Sequence, residues 1–196
     1  GGYEVVTYMT AAPGDATRIV ADRGSDVDRV VCIGGDGTLN ECISGLLQAG
    51  LEIPVGYIPA GTTNDFASSI GLPRNALKAA ETVANGTPVA YDAGMLNRQC
   101  FVYVAAFGAF TRVSYDTPQE IKNALGRAAY ILEGIRSLPE LKGYKMRVVC
   151  DDGETFYDEF IFGMVSNSTS IGGFKLPETV DVAMDDGKLE LLPVRN

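Results

Sequence analysis

Apolar and polar residues follow two different periodicities along the chain, and the first gives way to the second near residue 88. Before that point, short apolar runs typical of buried strands take turns with longer stretches of helical spacing. The predicted strands are 3–9, 29–33 and 54–58, and the predicted helices are 14–24, 39–50 and 75–86. Asp15 is the predicted N-cap of the first helix. Because strands that alternate with helices are typical of a parallel sheet, we predict an α/β domain over residues 1–88.

From residue 89 onward, short strands separated by turn residues dominate the pattern. The predicted strands are 89–97, 99–108, 145–153, 155–167 and 188–194, with one helical stretch at 119–137. The turn signal NGTP at 85–88 indicates the linker. We therefore predict a second domain over 89–196, a mainly antiparallel β-sandwich whose apolar faces suit a lipid substrate or contact with a bilayer.

The first candidate for chemistry is a glycine loop that follows a predicted strand, in the stretch VVCIGGDGTLNE. Without side chains, Gly34, Gly35 and Gly37 are expected to adopt positive φ and to bring backbone N–H groups against phosphate oxygens. A helix that begins near Thr38 would add its own unpaired N–H groups. Asp36 beside a phosphate indicates a magnesium ion, its ordered water, or a base for an attacking hydroxyl. An ordinary turn with Asp36 as a helix cap is the alternative.

A second loop repeats this design after the next predicted strand, in PAGTTNDFA at 59–67. Because the carboxyl ends of parallel strands meet at one edge of a sheet, both loops are expected to open into one crevice. Thr62, Thr63, Asn64 and Asp65 supply hydroxyls, an amide and an acid there. One of the last two is also expected to cap the following helix.

The composition favours carboxylates for acid–base chemistry, with lysine, cysteine and tyrosine as weaker candidates. Histidine is absent and the four cysteines show no CxxC spacing, which argues against a zinc site and a His-based triad. Cys32 is expected to be a core residue. Phosphoryl transfer fits these residues because it depends on positioning and charge neutralisation more than on covalent catalysis. No apolar run reaches the roughly 20 residues of a membrane span, and no signal peptide is evident, so we expect a cytoplasmic protein.

The formal net charge of −9 disfavours anionic partners, but basic residues cluster between Pro118 and Arg147. Such a patch would suit anionic lipid headgroups, and a solvated amphipathic helix explains it equally well.

Six motifs together resemble the bacterial diacylglycerol kinase family, whose catalytic domain is shared with sphingosine and ceramide kinases and is related in fold to NAD kinase. They are GGDGTLNE at 34–41, PAGTTNDFA at 59–67, Asp92 with Gly94, YDTP at 115–118, SNSTSIGGFK at 166–175 and AMDDGKLEL at 183–191. GGDGT also occurs in NAD kinases and phosphofructokinases, whereas its combination with GTTNDFA is specific for the lipid kinase branch. The resemblance implies an ATP- and Mg²⁺-dependent kinase that phosphorylates the hydroxyl of diacylglycerol or a related lipid.

The resemblance also implies roles for individual residues. Those implied to bind the nucleotide are Thr10, Gly34, Gly35, Asp36, Gly37, Thr38, Leu39, Asn40 and Thr62. Asp36, Asp65 and Asp92 would surround a water-bound catalytic magnesium, with Asp36 the best candidate base within these residues. For Glu41, a capping or solvated role competes with a part in the site.

A structural magnesium is implied at the other end of the chain, bound by the Asp186 carboxylate and the carbonyls of Ala183 and Lys188. Without the resemblance, MDDGK is a β-turn with Gly187 at positive φ.

The family also departs from this chain at both ends. It opens with a strand that ends in an Asn-Pro-Gly motif, and it continues well beyond residue 196 to an acid in an Asp-Gly-Glu motif that competes as general base. We therefore expect a fragment with little activity alone. The expected partners are a membrane lipid and, through peripheral contact, the inner face of the cell membrane, with no nucleic acid; a homodimer is left open. NAD kinase and a non-catalytic nucleotide- or lipid-binding module are the alternatives.

Overall fold

The computed structural model describes residues 2–97, 99–108, 142–151, 153–171, 174–175 and 182–195. They fall into two compact units: the first comprises Gly1–Tyr103 and Asn167–Lys188, and the second comprises Val104–Ser166 and Leu189–Asn196. The units therefore divide near residue 103, and residues 167–188 return to the first unit. The domain boundary at residue 88 stays a prediction.

Most helices and strands of the described residues correspond to predicted elements. In chain order they are α1 (Asp15–Arg23), a short 3₁₀ turn (Gly24–Asp26), β1 (Val30–Gly34), α2 (Asp36–Ala49), β2 (Val55–Pro59), α3 (Asp65–Ser69), α4 (Ala76–Asn85), β3 (Gly94–Leu96), β4 (Gln99–Phe101), β5 (Val104–Gly108), β6 (Tyr144–Val149), β7 (Thr155–Ser166), β8 (Ser170–Ile171), β9 (Phe174–Lys175) and β10 (Glu190–Arg195). No helix in the described part of the chain combines the length and apolarity that a membrane crossing requires.

The first unit is built on two parallel strands. β1 and β2 pair in register from Val30 opposite Val55 to Gly34 opposite Pro59, which confirms the predicted parallel arrangement. The core that covers this pair consists of Ala16, Val20, Cys32, Leu39, Cys42, Leu46, Tyr57, Phe66, Ala67, Cys100, Val102 and Met184. Three members of α2 in that list recur at helical spacing, so the helix buries one face. Cys32 is 2% exposed, as expected for a core residue.

The second unit contains one antiparallel sheet centred on the long strand β7. β5 and β10 flank its second half, and β6 pairs with its first half. Every pairing in this sheet is antiparallel, which confirms the mainly antiparallel prediction. The second layer of a sandwich stays a prediction.

Several predicted boundaries were wrong. Residues 3–9 form no strand, because none of the described residues pairs with their backbone, and Val5, Val6 and Met9 are exposed. α2 begins at Asp36 rather than near Thr38. The predicted strand 89–97 shortens to β3, and 99–108 divides into β4 and β5. The predicted helix 119–137 and the YDTP motif lie outside the described residues.

Candidate active site

The two glycine loops touch at the carboxyl ends of β1 and β2. The Ala60 N–H donates to the Gly34 carbonyl at 2.7 Å, which extends the strand pairing into the loops. Beyond it, a Cβ added to Gly61 would lie only 2.5 Å from the Gly35 Cα. Such an approach is closed to any larger residue. The predicted meeting of the two loops is therefore confirmed.

The expectation of positive φ in the first loop was wrong. Gly34, Gly35 and Gly37 all lie outside the left-handed region. Two of them are needed for close approach instead: a Cβ on Gly34 would lie 2.7 Å from the Thr38 Cβ, and Gly35 packs on the second loop. A Cβ on Gly37 would meet nothing within 4 Å, so packing does not explain that glycine. Because Gly37 has no side chain, the first turn of α2 is open to a ligand.

The first turn of α1 is capped by a side chain from another helix. Glu41, in α2, accepts the Gly14 N–H at 2.9 Å and the Ala16 N–H at 3.2 Å with its two carboxylate oxygens. The expected cap, Asp15, instead accepts the N–H groups of Ala11 and Ala12 in the preceding turn. It is the first residue of the helix, so its side chain reaches backward rather than onto the following amides.

The short helix α3 is capped in the same way, by Asp36. One carboxylate oxygen of Asp36 accepts the Asp65 N–H at 2.9 Å, and the other accepts the Phe66 N–H at 3.1 Å. The expectation that Asn64 or Asp65 caps this helix was therefore wrong. Asn64 lies at φ 53°, and its amide bonds both backbone groups of Gly61 and closes the second loop.

The N-terminus of α2 differs from those of the other three α-helices in the described part of the chain. α4 has a local cap, since Asn75 accepts two amides of its first turn. The first hydrogen bond of α2 runs from the Leu39 N–H to the Gly35 carbonyl at 3.1 Å. Within the described ranges, the N–H groups of Gly37 and Thr38 have no acceptor. Unpaired amides and the positive end of a helix dipole are features that favour an anion at such a turn.

Asp36 stands beside that turn with an unusual balance of interactions. Burial raises the pKa of its carboxyl group, while the amides of Asp65 and Phe66 act in the opposite direction. The nearby charge of Asp65 adds to the rise. Burial outweighs the amide bonds, so Asp36 holds a proton to higher pH than a solvated aspartate does.

Asp65, the first residue of α3, is 1% exposed. The Ser170 hydroxyl donates to its carboxylate at 2.8 Å. Ser69 donates to the Asp65 carbonyl, and its hydroxyl lies 2.7 Å from that of Ser168. Sequence analysis missed these serines, although their repetition in SNSTS was a visible signal.

Asp92 is attached to the turn that was predicted to bind the structural magnesium. Its carboxylate accepts the Gly187 N–H at 2.7 Å, and its own N–H donates to the Met184 carbonyl at 2.8 Å. Gly187 has φ 75°, as expected for the β-turn. In the same turn, Asp186 accepts the Lys188 N–H at 3.0 Å, and Ala183 is partly buried. Metal binding by this turn stays a prediction.

The structure thus brings the implied catalytic acids together only in part. Asp36 touches the backbone of Asp65, whereas the carboxylate of Asp92 bonds to Gly187. Among the residues that the structure describes, no three acids, cysteines or histidines are grouped so that they could hold a metal directly. A hydrated ion would still be compatible with these acids, because magnesium in proteins keeps several of its waters.

The residues that the resemblance implies for nucleotide binding also differ in how accessible they are to a ligand. The Asn40 amide is engaged on both sides, donating to the Cys100 carbonyl and accepting the Val102 N–H. Leu39 is buried in the core, so only its backbone could face a ligand. Thr10 and Thr62 are exposed and Thr38 is partly exposed.

Comparisons with known proteins show which family the chain resembles. Residues 1–96 match the family model of the diacylglycerol kinase catalytic domain. The chain is 38% identical over 193 residues to a diacylglycerol kinase of Bacillus subtilis, covering 97% of this chain and 63% of that protein. A diacylglycerol kinase of Staphylococcus epidermidis is 35% identical, with 98% of this chain and 61% of that protein covered. The chain thus spans about three fifths of the length of these curated relatives.

A solved structure shows the same relationship. The crystal structure of a diacylglycerol kinase from Bacillus anthracis superposes with a TM-score of 0.73 at 31% identity. The superposition covers 95% of this chain and 60% of that one.

Proposed function

The chain belongs to the bacterial diacylglycerol kinase family, and from that premise we propose that it transfers the γ-phosphoryl group of ATP to the hydroxyl of diacylglycerol or a related lipid. One observation carries the proposal. Among the described residues, the amides of Gly37 and Thr38 in the first turn of α2 have no acceptor, and this turn lies where two glycine loops meet. The amides of Gly37 and Thr38 would bind the phosphates there, with the hydroxyls of Thr38 and Thr62 as further donors.

The acid beside this turn supplies the proton acceptor. In the proposed step, the lipid hydroxyl gives its proton to the Asp36 carboxylate while its oxygen forms a bond to the γ-phosphorus. The bond between that phosphorus and the bridging oxygen of ADP breaks, and ADP leaves with the electron pair. The raised pKa of Asp36 suits this role, because a weakly acidic carboxyl group is the stronger base once ionised.

We propose Mg²⁺ as the second cofactor, and the donor set determines how it would be held. A direct site of three carboxylates does not fit, because Asp65 is buried against Ser170 and Asp92 is bonded to Gly187. The partly exposed Asp36 fits a hydrated ion, which it would contact through water. Magnesium bound in this way would neutralise the charge of the triphosphate. Asp65 would then hold the Ser170 side chain, and Asp92 the backbone of Gly187, rather than bind the ion.

The acceptor is proposed as a lipid because the relatives are named for diacylglycerol. Apolar contacts discriminate weakly between similar chains, so ceramide, undecaprenol and phosphatidylglycerol are compared in the same assay. Because the proposed acceptor is a lipid, the enzyme would also have to contact a membrane surface from the aqueous side.

The test is a transfer assay with the natural full-length protein, labelled ATP, Mg²⁺ and a panel of lipid hydroxyls in mixed micelles, with NAD as a parallel acceptor. We expect label in diacylglycerol or a related lipid, and Asp36→Asn should reduce transfer by about 100-fold or more, as removal of a general base does. Asp22→Asn, on the exposed face of α1, is the matched control and should retain the wild-type rate. Label in NAD alone, or an undiminished rate in Asp36→Asn, would contradict the proposal.

A further inference from the structure

The helices α1 and α2 pack so closely that one side chain can bridge them. A Cβ added to Gly45 would lie 2.5 Å from the Thr17 carbonyl and 2.9 Å from the Val20 Cβ, so the two backbones nearly touch there. Glu41 precedes Gly45 by four residues and therefore lies on the same face of α2. The Thr17 hydroxyl donates to the Glu41 carbonyl at 3.0 Å. This packing places the Glu41 carboxylate at the first turn of α1.

The carboxylate closes that turn with both of its oxygens. It accepts the Gly14 N–H at 2.9 Å and the Ala16 N–H at 3.2 Å. Hydrogen bonds to an ionised acceptor are roughly twice as strong as neutral ones. The negative charge also lies at the positive end of the α1 dipole. Glu41 therefore occupies a helix terminus that would otherwise attract an anion.

The turn before α1 is fixed from the other side by Asp15. Its carboxylate accepts the Ala11 and Ala12 amides at 2.9 and 3.0 Å, and its own N–H donates to the Ala12 carbonyl. The backbone from residue 11 to residue 16 is thereby held as one unit, with Thr10 directly before it. Glu41 is the side chain that attaches this unit to α2, about 7.5 Å along the helix axis from Asp36.

We infer that Glu41 is a positioning residue for nucleotide binding. This positioning role, which rests on the proposed function, has two parts, and both act through the backbone that Glu41 binds. It fixes the turn that carries Thr10 relative to the open amides of Gly37 and Thr38. It also removes the α1 terminus as a competing anion site, so that the triphosphate is directed to α2. Glu41 itself touches neither substrate nor the reacting atoms.

The experiment uses the full-length protein and a fluorescent ATP analogue, mant-ATP, with Mg²⁺ and no lipid. Glu41→Gln has nearly the same shape but has one oxygen acceptor in place of two and no charge. We expect its Kd for mant-ATP to rise about tenfold, the order expected when a charged acceptor is lost. In the transfer assay, KM for ATP should rise similarly, while kcat and KM for the lipid stay within about twofold. Glu41→Asp, which keeps the charge, should recover part of the affinity.

Two control variants separate an effect on nucleotide affinity from an effect on stability alone. Thr17→Val removes the hydroxyl that bonds the Glu41 carbonyl but leaves the carboxylate, so it should lower the melting temperature without changing the Kd. Glu81→Gln, on the exposed side of α4, should change neither.

If Glu41→Gln melts lower but binds mant-ATP with the wild-type Kd, Glu41 is only a structural cap and the inference fails. If the wild type binds no mant-ATP, both this inference and the proposed function fail. If the wild type binds mant-ATP but phosphorylates no lipid, the proposed acceptor fails alone, and the Kd comparison still decides the role of Glu41.

Discussion

Three acidic side chains around the glycine loops have the same kind of partner, a backbone amide from a distant part of the chain. Asp36 holds the first turn of α3, Glu41 holds that of α1, and Asp92 holds Gly187. Each of these carboxylates therefore fixes the position of a backbone segment that is distant in sequence.

The contact between the two loops can be tested at single glycines. Gly61→Ala forces a methyl group to 2.5 Å from the Gly35 Cα, so we expect it to lower the free energy of unfolding by about 1–3 kcal/mol and to weaken ATP binding. Gly37→Ala meets nothing within 4 Å and lies in a helix, so it should raise stability by about 0.5–1 kcal/mol while still weakening ATP binding.

Urea unfolding and mant-ATP titration of the two glycine variants check this pair. If Gly37→Ala binds ATP as tightly as the wild type, the first turn of α2 does not contact the phosphates. If Gly61→Ala is as stable as the wild type, the loops do not approach as described.

The raised pKa of Asp36 predicts a specific pH dependence of stability. Between the unfolded pKa of about 3.9 and the higher native pKa, the native state binds more protons than the unfolded state, so stability falls as pH rises. Asp36→Asn removes this titration. The free energy of unfolding of the wild type minus that of the variant should therefore decrease as pH rises through that window and then level off. Urea unfolding at several pH values measures the difference; a difference that grows with pH would mean that the amide bonds outweigh burial.

At the scale of helices and strands, hydrophobic periodicity predicted the structure better than local capping rules did. The periodicity that predicts α2 also buries Leu39, Cys42 and Leu46, so its existence follows from sequence alone. Residues 3–9 have the composition of a strand but no pairing partner among the described residues, and composition cannot reveal that. The caps of α1 and α3 come from side chains 25 to 30 residues away, whereas capping rules consider only neighbours.

The turn at 183–188 offers a test of the implied structural magnesium. We propose that the Asp186 carboxylate and the carbonyls of Ala183 and Lys188 bind the ion. Asp186→Ala should then abolish the increase in melting temperature that Mg²⁺ produces, because a ligand that binds only the native state stabilises it. Asp185→Ala, an exposed neighbour in the same turn, is the matched control and should keep that increase. Equal melting of the wild type with and without Mg²⁺ would reject the site.

In the whole molecule, the chain returns to its first compact unit after building most of the second. Residues 167–188 bring Ser170 to Asp65 and the turn at Gly187 to Asp92. The sequence predicted the order of α/β and antiparallel parts, because each has its own periodicity. It could not show this return, because contacts between segments distant in sequence leave no periodic pattern.

The central claim is that the free N-terminus of α2 binds the triphosphate, and amide NMR of the ¹⁵N-labelled chain tests it directly. On titration with Mg²⁺ and the non-hydrolysable analogue AMP-PNP, the account predicts large, saturable shifts of the Gly37 and Thr38 resonances. The Ala16 and Phe66 amides, which are held by Glu41 and Asp36, should move much less. Binding that leaves Gly37 and Thr38 unshifted while Ala16 or Phe66 moves would contradict the account.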